Sequence, residues 1–142
     1  MYQELALQIA KKAHAGQVDK AGNDYILHPM TVASYMDTDT EKAVAYLHDV
    51  HDVLEDTNIT VEQLRNQFPK EIVDTVIILT RKKNENYQDY ICRVAKCRLA
   101  KKVKVADLLH NLDITRIKEP TERDFKRLEK YKKAVLYLAM HA

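Results

Sequence analysis

The chain has 142 residues and a formal net charge of +2 at pH 7, with 46% apolar and 31% charged residues. These values are ordinary for one globular domain, and so small a net charge gives no argument for binding DNA, RNA or a membrane. Two cysteines exclude a disulfide framework, and no run approaches the roughly 18 apolar residues of a membrane helix. We therefore expect one cytoplasmic domain over residues 1–142, with homo-oligomerisation left open.

The predicted elements are all helices. A first helix precedes a loop between Gly16 and Gly22, Pro29 suits a first helical turn, and the polar residues "DTDT" at 37–40 interrupt the chain. Apolar residues recur at helical spacing in four stripes, which are Leu5, Ile9, Ala10 and Ala13; Val44, Leu47 and Val50; Ile72, Val76 and Leu79; and Leu128, Tyr131, Val135 and Leu138.

Capping residues mark the later boundaries. Thr60 with Gln63 forms a capping-box pattern that opens a helix at Val61, Pro69 restarts the chain, and Thr121 opens the last helix. The pattern predicts an all-α fold, a single-domain helical bundle of six to eight helices.

Residues that bind metals and phosphates concentrate at four places. They are His28 in "YILHP", the stretch "HDVHDVLEDT" at 48–57, Asp107 with His110 and Asn111 in "VKVADLLHN", and the basic residues Lys20, Arg81, Lys82 and Lys83. A divalent metal held by two imidazoles and two carboxylates would explain His28, one His-Asp pair and Asp107 together. Such a mixed nitrogen and oxygen donor set suits manganese, iron or zinc better than calcium.

Three motifs in this order resemble a known family. "AHAGQVDKAGNDYILHP", "HDVLEDTNIT" and "VKVADLLHN" are similar to motifs of the RelA/SpoT-type hydrolase domain, and especially of the stand-alone small alarmone hydrolases. These proteins belong to the HD superfamily of metal-dependent phosphohydrolases. The resemblance runs from about residue 5 to residue 117 and implies an all-helical fold.

The resemblance also implies roles for individual residues. It implies one Mn²⁺ bound by His28, an HD pair and Asp107, although another divalent transition metal is compatible with these ligands. Glu55 and Asp56 would position and deprotonate the attacking water. The residues expected at the substrate are Lys20 near its phosphates, Asn111 at the nucleotide, Tyr87 along the pocket, and Arg81 and Lys82 from the basic segment.

Two positions depart from the family pattern. Asp19 and Asp113 stand where relatives usually have arginines, and the arginine at the first position packs against the guanine base. We therefore expect the metal chemistry to be retained and the preference for guanine to be weakened.

The doubled "HDV" leaves two candidate metal pairs. His51 and Asp52 keep the family spacing to Glu55 and Asp56, which lies within one helical turn, and this favours them as ligands. His48 and Asp49 are the alternative pair. If they were the ligands, the two acids would lie a turn further from the metal, and the protein would bind metal but be poorly active.

The resulting hypothesis is a metal-dependent phosphohydrolase of a phosphorylated nucleotide, with guanosine 3′,5′-bis(diphosphate) as the first substrate to test and removal of its 3′ pyrophosphate as the reaction. One alternative is a catalytically weakened HD domain that binds nucleotide as a sensor or interaction module. Another is a helical domain with a structural metal.

Overall fold

The computed structural model describes residues 1–50 and 60–141. The helices in these ranges are α1 (Tyr2–Ala13), α2 (Leu27–Ser34), α3 (Asp39–Leu47), α4 (Val61–Gln67), α5 (Lys70–Leu79), α6 (Tyr87–Ala95), α7 (Arg98–Asn111) and α8 (Glu122–Met140), with a 3₁₀ helix at Ile114–Arg116. The predicted all-α fold is confirmed. Each helix of these ranges is too short or too polar to serve as a membrane span.

The helix starts follow from local capping. At α4, the Thr60 side chain accepts from the Gln63 backbone and the Gln63 side chain accepts from the Thr60 backbone, as predicted. Thr38 and Glu41 form the same reciprocal box at α3, so the polar stretch "DTDT" supplies that helix with its cap. A third capping box opens α8 at Thr121. These bonds satisfy backbone N–H groups that a helix leaves without internal partners.

Helix α3 lies at the centre of the fold. It packs against α1, α2, α5 and α7, and its residues Ala43, Val44 and Leu47 are completely buried. Since α2 also packs against α7, the end of α3, the start of α2 and the second half of α7 meet in one region.

The predicted apolar stripe of α3 runs past the end of the helix. Val50 was expected on the same helical face as Leu47, but α3 ends at Leu47 and His48 is its C-cap. Val50 is nevertheless buried. The apolar contact therefore continues beyond the last residue of the helix.

The predicted loop between Gly16 and Gly22 is a compact turn. Both glycines have positive φ angles, +79° and +84°, which side chains with a Cβ rarely adopt. An isolated antiparallel bridge between Val18 and Asp24 closes the loop. This closure holds Lys20 at the loop tip.

Candidate active site

His28 and Asp107 meet although 79 residues separate them in the sequence. His28 is the second residue of α2, and Asp107 lies in the second half of α7. The Nε2 atom of His28 is 2.7 Å from Oδ1 of Asp107. Both side chains are buried, so this contact lies inside the protein.

The first HD pair joins this contact from the end of α3. Nε2 of His48 lies 3.2 Å from Oδ2 of Asp49 and 3.3 Å from Oδ1 of Asp107. Oδ2 of Asp49 lies 3.5 Å from Nε2 of His28 and accepts a 2.8 Å hydrogen bond from the Tyr25 hydroxyl. One ligand atom from each of His28, His48, Asp49 and Asp107 lies within 4.8 Å of the other three. We call these four residues the His–Asp cluster.

The histidine orientations in the cluster fit a bound metal. Both rings present Nε2 to the carboxylates, while their Nδ1 atoms have partners outside the cluster. Nδ1 of His28 is 2.7 Å from Nδ1 of His110, and Nδ1 of His48 bonds the carbonyl oxygen of Ala45. Metal-ligating histidines almost always use their second ring nitrogen in this way. Two imidazoles and two carboxylates therefore form a suitable site for a divalent transition metal.

The charged groups of the cluster shift one another's pKa values. Burial acts to lower the pKa of His48, but the charges of Asp49 and Asp107 outweigh burial and raise that pKa well above its ordinary value. Burial acts to raise the pKa of Asp49, but the charge of His48 and its hydrogen bond hold that pKa below its usual range. Asp49 is therefore ionised at neutral pH, whereas His48 must release its proton before it can bind a metal.

The imidazole ring of His110 packs against His28 and is neutral. It stacks on His28 with the ring planes 7° apart and the centroids 4.9 Å apart. Burial and the charge of Arg116 lower the pKa of His110 to about 4, so the ring is uncharged at pH 7. If Nε2 of His28 is free to bind a metal, His28 carries its proton on Nδ1, and we assign His110 as the acceptor of that proton's hydrogen bond.

Sequence reasoning missed Lys104, whose ammonium group offsets the negative charge of Asp107. Its Nζ lies 2.8 Å from Oδ2 of Asp107, and only 14% of its side chain is exposed. Burial acts to raise the pKa of Asp107, but the charge of Lys104 and the hydrogen bond from His28 hold it well below the usual value. The three-residue spacing of Lys104 and Asp107 on one helix could have indicated the pair.

The favoured pair from the sequence lies outside the described residues. His51 and Asp52, proposed as metal ligands, and Glu55 and Asp56, proposed to act on the water, all fall within residues 51–59. Among the described residues, the alternative pair, His48 and Asp49, completes the cluster with His28 and Asp107.

A cavity of about 340 Å³ adjoins the cluster. Tyr25 lines it and bonds Asp49, and Asn111 lines it while donating a 3.2 Å hydrogen bond to Oδ1 of Asp107. Two of the predicted substrate residues, Lys20 and Asn111, are thus brought together here. The lining residues are Gln17, Val18, Asp19, Lys20, Tyr25, Asn111, Asp113, Arg116, Ile117, Asp124, Arg127, Leu128 and Tyr131.

The other predicted substrate residues lie apart from this lining. The guanidinium carbon of Arg81 is 5.4 Å from the centroid of the Tyr87 ring, and Tyr87 in turn contacts Tyr131 at the cavity. Burial raises the pKa of Tyr87 to about 12. Lys82 lines a separate apolar cavity of about 200 Å³ instead. In the turn after α5, the Lys82 backbone N–H donates to the Glu85 carboxylate.

The two aspartates that depart from the family pattern have structural contacts. Oδ1 of Asp19 accepts from the backbone N–H groups of Ala21 and Asn23, and its Oδ2 lies 3.7 Å from Arg116. Oδ1 of Asp113 accepts from the backbone and hydroxyl of Thr115 at the 3₁₀ helix. Although position 19 is an aspartate, the cavity lining includes the guanidinium groups of Arg116 and Arg127.

Comparison with known proteins places these features in a family context. Residues 6–140 match the HD domain family. A probable GTP pyrophosphokinase of Mycobacterium leprae is 31% identical over 136 residues, which are 87% of this chain and 17% of that protein. A guanosine-3′,5′-bis(diphosphate) 3′-pyrophosphohydrolase of Haemophilus influenzae is 37% identical over 118 residues, which are 73% of this chain and again 17% of the relative.

One solved structure is also similar to this chain. It belongs to a metazoan orthologue of SpoT that is described as hydrolysing ppGpp, and it superposes with a TM-score of 0.78 at 25% identity. The superposition covers 96% of this chain and 84% of the other. The chain spans only 17% of the length of the two curated relatives above. The family match covers nearly the whole chain and includes the four residues of the His–Asp cluster. The chain is therefore a member of the HD domain family.

Proposed function

We propose that the chain is a metal-dependent phosphohydrolase that removes pyrophosphate from the 3′ position of guanosine 3′,5′-bis(diphosphate) or of a similar phosphorylated nucleotide. The observation that carries this proposal is the convergence of four ligand atoms, from three buried residues and the partly buried Asp49, beside a cavity whose lining includes Lys20, Arg116 and Arg127. Relatives named for this hydrolysis, and a structural neighbour described as hydrolysing ppGpp, support the choice of substrate.

The His–Asp cluster is the proposed metal site. His28, His48, Asp49 and Asp107 would hold the ion, and we propose Mn²⁺ as its identity within the range that these donors suit. A divalent metal supplies Lewis-acid polarisation of a phosphoryl oxygen and lowers the pKa of water. His110 and Tyr25 orient two of the ligands by hydrogen bonds, and Lys104 offsets the carboxylate charge.

The substrate roles fall to residues of the adjoining cavity and of its rim. Lys20 and Asn111 line the cavity, so they can contact the nucleotide as its phosphate approaches the cluster. Arg81 and Tyr87 are proposed to lie near the outer part of the ligand. Glu55 and Asp56 are proposed to orient and deprotonate the attacking water.

A catalytically weakened, nucleotide-binding HD domain is the second candidate. It is favoured by the placement of His48 and Asp49 in the cluster, because Glu55 and Asp56 then follow these ligands by three residues more than in the family spacing. A misplacement of about 1 Å can already reduce a rate about 100-fold. Such a protein would bind metal and nucleotide without rapid turnover.

Release of pyrophosphate separates the two candidates. The purified chain is incubated with guanosine 3′,5′-bis(diphosphate), with and without Mn²⁺, beside the Asp107→Asn variant as the control for contaminating phosphatases. Manganese-dependent release by the parent and not by the variant supports the hydrolase. Binding of nucleotide and metal without release supports the second candidate. Equal release by parent and variant contradicts the proposed site.

A further inference from the structure

The charges around the 340 Å³ cavity balance one another. Its lining contains three cationic side chains, Lys20, Arg116 and Arg127, and three carboxylates, Asp19, Asp113 and Asp124. A cavity that receives the phosphates of a nucleotide would be expected to carry excess positive charge. Of the three carboxylates that offset the positive charge, Asp124 contacts two of the cations, Lys20 and Arg127.

Asp124 is a fixed carboxylate that faces the cations of the cavity. Its Oδ2 accepts from the backbone N–H of Thr121 at 2.9 Å and from the Thr121 hydroxyl at 3.1 Å, within the capping box of α8. Its Oδ1 lies 2.5 Å from Nζ of Lys20 and 4.0 Å from Nη1 of Arg127. Because one oxygen is held by the helix cap, the carboxylate cannot turn away from Lys20.

Asp124 and Lys20 differ in how far their side chains are exposed to solvent. Only 6% of the Asp124 side chain is exposed, against 49% for Lys20. Lys20 can therefore move toward a ligand, whereas Asp124 stays in the wall. The Lys20 ammonium and the Thr121 backbone lower the pKa of Asp124 to about 2, so the carboxylate remains charged at neutral pH.

We infer that Asp124 is a specificity-determining residue, which limits how many ligand phosphates this cavity accepts by neutralising Lys20 and Arg127. A phosphate that reaches Lys20 in its paired position comes close to the Asp124 carboxylate, and like charges at such distances repel, so binding it requires Lys20 to leave that position. The part of the ligand that occupies the cavity is therefore one of low charge, such as a nucleoside. This inference rests on the proposed function only for the class of ligand.

Nucleotide binding to the full chain tests the inference without requiring turnover. The probes are guanosine 5′-monophosphate and guanosine 5′-diphosphate, titrated by calorimetry in metal-free buffer. For the parent, we expect the second phosphate to change the Kd by less than about threefold. For Asp124→Asn, which keeps an oxygen acceptor for the cap, we expect the diphosphate to bind about tenfold more tightly than the monophosphate.

Matched variants assign the effect to Lys20. Asp113→Asn removes an equal charge from the same cavity, but its carboxylate is bonded to Thr115, so the ratio of the two Kd values should stay at the parent value. Adding Lys20→Met to Asp124→Asn should abolish the gain for the diphosphate. Melting curves establish that the variants are folded, and Asp124→Ser replaces Asp124→Asn if the latter is not.

Several outcomes would overturn the inference. They are a tenfold preference for the diphosphate in the parent, an unchanged ratio in the folded Asp124 variant, an equal shift in Asp113→Asn, or no binding of either probe to the Asp124 variant. Failure of the hydrolysis assay would overturn the proposed reaction instead, and the shift in the binding ratio would still stand.

Discussion

Lys104 and Asp107 form a buried ion pair one helical turn apart on α7, with Nζ 2.8 Å from Oδ2. The other oxygen of the same carboxylate faces His28 and His48. The charge of Asp107 matters both with and without a bound metal. The side chain must stay ionised to serve as a metal ligand, and a buried carboxylate needs a compensating charge while no cation is bound.

Replacing Lys104 should therefore destabilise the metal-free protein. We expect Lys104→Met to lower the free energy of unfolding by about 3–5 kcal/mol, the usual cost of breaking a buried pair. Added Mn²⁺ should recover part of this loss, because a bound cation replaces the missing ammonium. Urea unfolding with and without Mn²⁺ measures both effects. Lys96→Met, at an exposed position, is the control, and equal stability of the two variants would contradict the role of Lys104.

The two HD pairs can be separated by metal binding. His48→Ala should weaken Mn²⁺ binding by more than about 100-fold, since it removes a proposed ligand rather than an outer partner. His51→Ala should change the affinity much less. Titration of metal-free protein with Mn²⁺, followed by the paramagnetic resonance of the free ion, gives both dissociation constants. The reverse ranking would return the ligand role to His51 and Asp52.

His110 should act on the metal through His28. His110→Ala removes the partner of Nδ1 of His28, and we expect a loss of about 10–100-fold in Mn²⁺ affinity. His110→Asn, which keeps a side-chain acceptor, should recover part of it. The exposed His141 gives the control His141→Ala. An unchanged metal affinity in His110→Ala would show that the stacked ring only fills space.

Deleting one "HDV" repeat tests the consequence of the duplication. Removal of residues 51–53 leaves one HD pair and restores the family spacing to Glu55 and Asp56. We expect metal binding to be kept and pyrophosphate release to rise by up to about 100-fold, because the acids return to the position that the reaction requires. Loss of metal binding on deletion would show that the cluster needs residues of both repeats.

The contact of Glu85 with Arg93 should make stability depend on pH. The Arg93 guanidinium donates to both carboxylate oxygens, at 3.0 and 2.9 Å, and this hydrogen bonding lowers the pKa of Glu85 to about 2. A carboxyl with a lowered pKa in the folded state stabilises the protein above its unfolded pKa. Glu85→Gln should therefore melt at a lower temperature than the parent at pH 7.

The difference between Glu85→Gln and the parent should shrink on acidification. It should begin to fall near pH 4.5, the ordinary value, and vanish as the pH passes below about 2, where Glu85 is protonated in both states. Melting temperatures of both proteins between pH 7 and pH 2.5 follow this trend. A difference that is constant over this range would mean that Gln merely packs less well.

Much of the fold was decided locally and could be read from the residues. Apolar spacing and capping pairs such as Thr60 with Gln63 determine where helices form, because these interactions lie within a few residues of one another. The ordered motifs likewise identified His28 and Asp107 as candidate ligands, since donor type and sequence pattern suffice for that. The prediction of one domain stays a prediction, as does the cytoplasmic location.

The composition of the site was decided by tertiary packing. The sequence favoured His51 and Asp52 from the spacing to Glu55, and this stays a prediction because both residues lie outside the described part of the chain; among the described residues, packing brings His48 and Asp49 together with His28 and Asp107. The positions of Asp124 opposite Lys20 and of Arg116 opposite Asp19 join residues about a hundred apart. No local pattern encodes these pairs, because they arise only when α8 and the 3₁₀ helix fold back over the loop at Gly16 to Gly22. The sequence determined which chemical groups are available, whereas the packing of the helices decided which charges face one another.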